Sequence, residues 1–178
     1  LWASEGPIYG RFGYGVATLR GTIVAPRDRV RFVPPVPDVG RIRLLTVSEA
    51  LEALPSVWEA AAALTPGFFR RSHAWWRDEV LDDAEWRRLG AGPRFIPAIE
   101  VDGVIRGYAF YRMRSDWDHL GARNVLEVRE VVAPDPAVEL ALWRFLADQD
   151  LVVTIKAHNA NVDTPLFHRV DDPRRLGL

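Results

Sequence analysis

Apolar residues recur along this chain in two rhythms, and the places where one gives way to the other mark its elements. From Arg41 to Val47 the apolar positions Ile42, Leu44 and Leu45 predict a strand. A helical spacing then takes over through Leu51, Leu54, Val57, Trp58, Ala61 and Leu64, with Ser48 as the expected N-cap and Glu49 in the first turn. Pro55 is expected to split this run into two short helices, because its ring denies the helix a donor. Ser72 predicts a second cap, followed by Ala74-Trp75-Trp76 and Val80-Leu81 on one face, and Asp82 to Leu89 a short further helix. Phe95 to Val101 and Val104 to Tyr111 are strand-like runs separated by Asp102-Gly103, a pair suited to the positive φ angles of a type I′ hairpin. After a polar loop, Asn124 to Val132 predicts a third strand. Asp135 and Pro136 read as N-cap and first residue of a helix through Val138, Leu140, Leu142, Phe145 and Leu146. Leu151 to Ile155 is a strand, and Thr164-Pro165 opens a last short helix.

The first forty residues are less regular. Leu1 to Ala3 and Gly15 to Leu19 suit strands joined by turn-rich segments, and Gly21 to Arg31 alternates loosely. Pro34, Pro35 and Pro37 make the following stretch an extended linker. The whole order predicts a mixed α/β sheet, mostly antiparallel, with one βαβ step from strand 124–132 through helix 135–150 to strand 151–157. A chain that opens on Leu1, with strand-like residues lacking partners, reads as a piece of a longer protein.

Bulk properties narrow the function classes. At 178 residues the chain can bury a real core. Its net charge of −1 offers no field for nucleic acid or an anionic membrane, and its basic residues form pairs (Arg70-Arg71, Arg87-Arg88, Arg174-Arg175), not a patch. The absence of cysteine excludes disulfides and thiolate chemistry and makes a reducing cytoplasm the default location. No apolar run reaches the length of a membrane span. His73, His119, His158 and His168 have no ligand spacing, so no metal site is predicted, and Asp116, Asp118 and His119 read as a solvated loop. Gly10, Gly13 and Gly15 run G-x-x-G-x-G before an apolar stretch, the reverse of the dinucleotide spacing, and read as a tight β connection.

Ser4-Glu5-Gly6-Pro7-Ile8-Tyr9-Gly10-Arg11-Phe12-Gly13-Tyr14-Gly15 resembles the segment that closes the first GNAT domain of Eis-type acetyltransferases. Trp75-Trp76, Asp102-Gly103 with Gly107 to Tyr111, Leu142 to Leu146, Asp163 to Leu166 and Asp172-Pro173-Arg174 extend the resemblance over nearly the whole chain. It implies an α/β GNAT-like fold divided into residues 1–33 (terminal strands of an N-terminal catalytic domain), 34–40 (linker) and 41–178 (a central GNAT-like domain). It also implies acetyl transfer from acetyl-CoA to an amine, either aminoglycoside-type or a lysine side chain, and assembly as a homo-oligomer, commonly a hexamer.

Within that resemblance Tyr9 is the expected general acid. A tyrosyl hydroxyl, with an ordinary pKa of about 10, is protonated at neutral pH and can supply a departing thiolate with a proton. Tyr14 is read as packing. Ser4 and Glu5 are candidates to line the amine pocket; equally, Ser4 caps a turn and Glu5 pairs with Arg11. The family grips the CoA pyrophosphate with a glycine-rich R-x-x-G-x-G/A loop opening a helix. Here the corresponding junction is Val131-Val132-Ala133-Pro134-Asp135-Pro136-Ala137-Val138-Glu139. Two prolines lack N–H groups, and Asp135 and Glu139 place negative charge where phosphate would sit. The second unit is therefore expected not to bind acetyl-CoA, which would be held by sequence outside this chain. The alternative reading is a non-catalytic GNAT-like scaffold or binding protein.

Overall fold

The computed structural model describes residues 6–177. Its elements are α1 (Gly6–Gly10), β1 (Gly21–Pro26), β2 (Arg41–Leu44), α2 (Val47–Ala62), α3 (His73–Trp75), β3 (Arg94–Phe95), β4 (Pro97–Val101), β5 (Val104–Arg114), β6 (Trp117–Asp118), β7 (Gly121–Ala122), β8 (Asn124–Val132), α4 (Pro136–Ala147) and β9 (Val152–Ala160). Seven strands form one sheet in the order β1-β9-β8-β5-β4-β2, with β3 paired to β5 beside β4. All pairs in it are antiparallel except β8 with β9, which are parallel and joined through α4, the expected βαβ step.

The sheet separates two cores. Alternate residues of β5 supply them: Tyr108 and Phe110 face Leu54, Trp58 and Trp76 on the α2 side, while Ala109 and Tyr111 face Leu142, Leu146 and Ile155 on the α4 side. This is the period-2 alternation of a strand covered on both faces. The hairpin between β4 and β5 turns at Asp102 and Gly103, both at positive φ, as the Asp-Gly pair predicts.

Several expectations need correction. Pro55 lies inside a continuous helix. The helix loses one donor there, but Ala50, Leu54, Val57, Trp58 and Ala61 bury a stripe against the sheet, and that packing outweighs the local defect. Its cap is Thr46, not Ser48: the Thr46 hydroxyl accepts from the Glu49 N–H, and the Glu49 carboxylate accepts from the Thr46 N–H at 2.8 Å. The Ser72 cap holds only one α-turn, after which Trp76–Val80 widens into a π-helical turn. Between Asp82 and Leu89 a single 3-10 turn forms at Glu85–Arg88. Residues 14–20 form no strand, and Gly6–Gly10 is helical where a turn-rich β connection was expected. The paired strand of this region, β1, is the sheet edge, antiparallel to β9. Ile23 and Ala25 of β1 and Val36 of the proline-rich stretch enter the α4-side core.

Candidate functional site

Tyr9 sits on α1, where Pro7 suits the first turn because its missing N–H is not needed there. The turn closes as Phe12 N–H donates to the Tyr9 carbonyl at 3.0 Å and Gly13 N–H to that of Gly10 at 3.1 Å. Gly13 then takes a φ of +82°, which a side chain would resist. The Tyr9 ring is half-buried and meets Tyr14 edge-on, centroids 6.2 Å apart at 88°. Tyr14 is itself 61% exposed, so this ring contact lies at the surface. Ser4 and Glu5 lie outside the described residues.

A second region lies where the two parallel strands stop pairing. β8 and β9 are hydrogen-bonded only as far as Val128 and Ala157, so their C-terminal ends part and leave a crevice, the usual ligand position in a parallel sheet. Here it is filled. Glu139 and Trp143 enter from α4 and Thr164 from the far side. The Thr164 hydroxyl donates to Glu139 Oε1 at 2.5 Å and Trp143 Nε1 donates to the same oxygen at 3.3 Å. The remaining cavity is about 10 Å³, room for about one water. Burial raises the Glu139 pKa above the ordinary carboxyl value; its two hydrogen bonds pull the other way without cancelling this.

The first turn of α4 is closed by its own residues. Asp135 caps the helix by accepting from the Ala137 N–H at 2.7 Å, and Pro136 has no N–H to offer. The Ala137 amide is therefore occupied and that of Pro136 missing, beside a fixed carboxylate. These residues do not fit the CoA pyrophosphate. Gly107 in β5 lets this turn approach the sheet: a Cβ there would stand 2.6 Å from Val138 Cγ1.

A third constellation went unread in the sequence. At the β8–β5 pairing, Tyr111 opposes Val128 and Phe110 opposes Glu130, so Arg129 is an extra residue, a β-bulge. Val128 faces the α4-side core, whereas the Glu130 carboxylate meets Tyr108 of the α2-side core, accepting from its hydroxyl at 2.7 Å. Arg71 binds the same carboxylate through both guanidinium nitrogens, at 3.0 and 2.6 Å. Its guanidinium carbon lies 3.3 Å from the Trp58 ring centroid and 5.0 Å from that of Trp76. Burial opposes the Arg71 charge, but Glu130 more than offsets it and the pKa stands above its usual value. The Tyr108 hydroxyl is held protonated by burial and by the neighbouring carboxylate. No local motif announces this group, because Trp58, Arg71, Trp76, Tyr108 and Glu130 come from five separate segments.

Among the described residues no group of His, Asp and Glu is arranged to hold a metal. Asp118 is taken up by the Leu120 N–H and Arg123 within its own loop. Arg87 pairs with Glu79 and Asp82, and Arg88 with Asp83, which dissolves the paired arginines into local ion pairs.

The sheet order, the splayed parallel pair and the α4 crossover are those of one family, and its sequence model, the acetyltransferase (GNAT) domain, matches residues 67–177. The chain belongs to the GNAT acetyltransferase family. Within it the likeness is to Eis-type members. An uncharacterized N-acetyltransferase of Streptomyces avermitilis is 39% identical over 100% of this chain, which covers 44% of that protein. N-acetyltransferase Eis of Mycobacterium tuberculosis is 34% identical over 98% of the chain and 41% of its own length. The crystal structure of Eis1 from Mycobacterium abscessus superposes with a TM-score of 0.75 at 33% identity, over 97% of this chain and 42% of that one. The chain thus spans less than half the length of each of these three relatives. No helix among its described residues is long and apolar enough to cross a membrane.

Proposed function

We propose that this chain is part of an N-acetyltransferase that moves an acetyl group from acetyl-CoA to a substrate amine. The observation that carries the reading is the identity with Eis-type N-acetyltransferases along essentially the whole chain. Tyr9 is the general acid: its hydroxyl supplies the proton taken up by the departing thiolate, and Tyr14 meets its ring edge-on. Ser4 and Glu5 line the amine pocket. The acceptor is an aminoglycoside-type or lysine amine, the protein acts in the cytoplasm, and it assembles as a homo-oligomer.

Residues 41–178 serve this reaction as scaffold, not as a second catalytic centre. The capped, proline-bearing start of α4 and the Glu139–Trp143–Thr164 filling of the crevice support this. Acetyl-CoA is then bound elsewhere in the intact enzyme. Acetyl transfer by the intact protein and by its Tyr9→Phe variant is the test. A general acid contributes about 10²–10⁴-fold, so kcat should fall by about that factor. An unchanged kcat would remove Tyr9 from the reaction.

A further inference from the structure

Arg71 is held by every device that distinguishes a guanidinium from an ammonium. Its planar fork meets the Glu130 carboxylate through two nitrogens, its central carbon lies over the Trp58 ring, and Trp76 stands 5.0 Å away. Trp58 is fixed in α2 by the linker that carries Arg71, but not by Arg71: it stacks on Phe68 (4.5 Å, 18°) and donates from Nε1 to the Phe69 carbonyl at 2.8 Å. Trp76 is buried on the π-helical turn, edge-on to Trp58 and Tyr108. Glu130 is turned inward by the bulge at Arg129 and held by the Tyr108 hydroxyl. Arg71, by contrast, arrives from the irregular stretch between α2 and α3.

We propose that Trp58, Trp76, Tyr108 and Glu130 form a guanidinium-recognition site that Arg71 fills from within the chain, and that an alkylguanidinium, such as an arginine side chain, enters it when Arg71 is withdrawn. The Arg71 side chain is then a tethered ligand, while Phe68 and Phe69 of the same linker stay on Trp58. Gly67, at a φ of +90°, lies against Thr18, so the segment that leads away from Tyr9 rests on the same linker. The site stands independently of the role given to Tyr9.

Shortening Arg71 to alanine empties the site, and ethylguanidinium is the probe. For a millimolar dissociation constant, about 10 mM ethylguanidinium should raise the melting temperature of Arg71→Ala by about 4 °C and leave the parent chain unmoved. Ethylammonium at the same concentration should give less than half that shift. If Arg71→Ala does not fold unaided, refolding yield with and without ethylguanidinium replaces the melting temperature. Arg71→Lys supplies an independent measurement. It keeps the charge but loses the fork and the stacking, so its melting temperature should fall nearly as far as that of Arg71→Met. Equal rescue by ethylammonium, no rescue by either cation, or an Arg71→Lys variant as stable as the parent would each overturn the proposal.

Discussion

Gly107→Ala is the most direct probe of how α4 reaches the sheet. The added methyl would lie 2.6 Å from Val138 Cγ1, 2.9 Å from Ala133 Cβ and 3.2 Å from the Val132 carbonyl oxygen. The last two belong to the strand–helix junction and move only with it. Overpacking of this kind costs about 1–3 kcal/mol. Replacing glycine within a strand returns about 0.5–1 kcal/mol of that. Taken at the middle of both ranges the net loss is about 1 kcal/mol, which for a chain of this size lowers the melting temperature by about 2–4 °C. Val138→Ala removes the nearest obstructing atom and alone leaves a hole costing about 2 kcal/mol. If the contact with Val138 is the cause, the double variant is more stable than the sum of the two losses, by about 1 kcal/mol. Thermal unfolding of the four chains in the cycle measures this. Strict additivity, or a Gly107→Ala chain as stable as its parent, refutes the close approach.

The Glu139 carboxyl gives a pH-dependent prediction. Because burial raises its pKa in the folded state, the group stabilises fully only below its unfolded value near 4.5, and stability is lost as pH rises through the window up to the raised value. Glu139→Gln should therefore be more stable than the parent at pH 7, with the difference closing as pH falls toward 4.5 in urea titrations; a gap that widens on acidification contradicts this. Titrating the chain with acetyl-CoA in a calorimeter should give no saturable heat, and a micromolar dissociation constant would show that the α4 junction accepts the pyrophosphate after all.

What the sequence disclosed depended on how local each signal is. The Asp102-Gly103 turn and the Asp135-Pro136 start of α4 are each specified by two neighbouring residues and stand as read; Thr164-Pro165 opens a short 3-10 helix, but a further one at Pro173–Leu176 follows the helix expected to be last. The capping box was equally local: Thr46 to Glu49 has the T-x-x-E spacing, and the choice of Ser48 overlooked it. Pro55 misled because a propensity was weighed against nothing, whereas in the fold it competes with a buried helical face. The absence of a strand at residues 14–20 reflects a different limit, since a strand is stable only with a partner to pair with. The Arg71–Glu130 pair joins positions 59 apart, and it depends on a bulge that flips one side chain across the sheet. Periodicity would have placed Glu130 on the face of Val128.

The pairing of β1 with β9 also sets an order of events during synthesis. Ala25 finds its partner at Ile155, 130 positions later in the chain. At ribosomal rates of about 5–20 residues per second, β1 waits roughly 6 to 26 seconds before the strand that pairs with it exists. Through that interval Ile23 and Ala25, buried in the finished sheet, stay open to the nascent chain's surroundings. The last strand of the sheet is therefore also the one that covers the buried face and one side of its first. A ribosome stalled before Val152 would leave that side unpaired permanently.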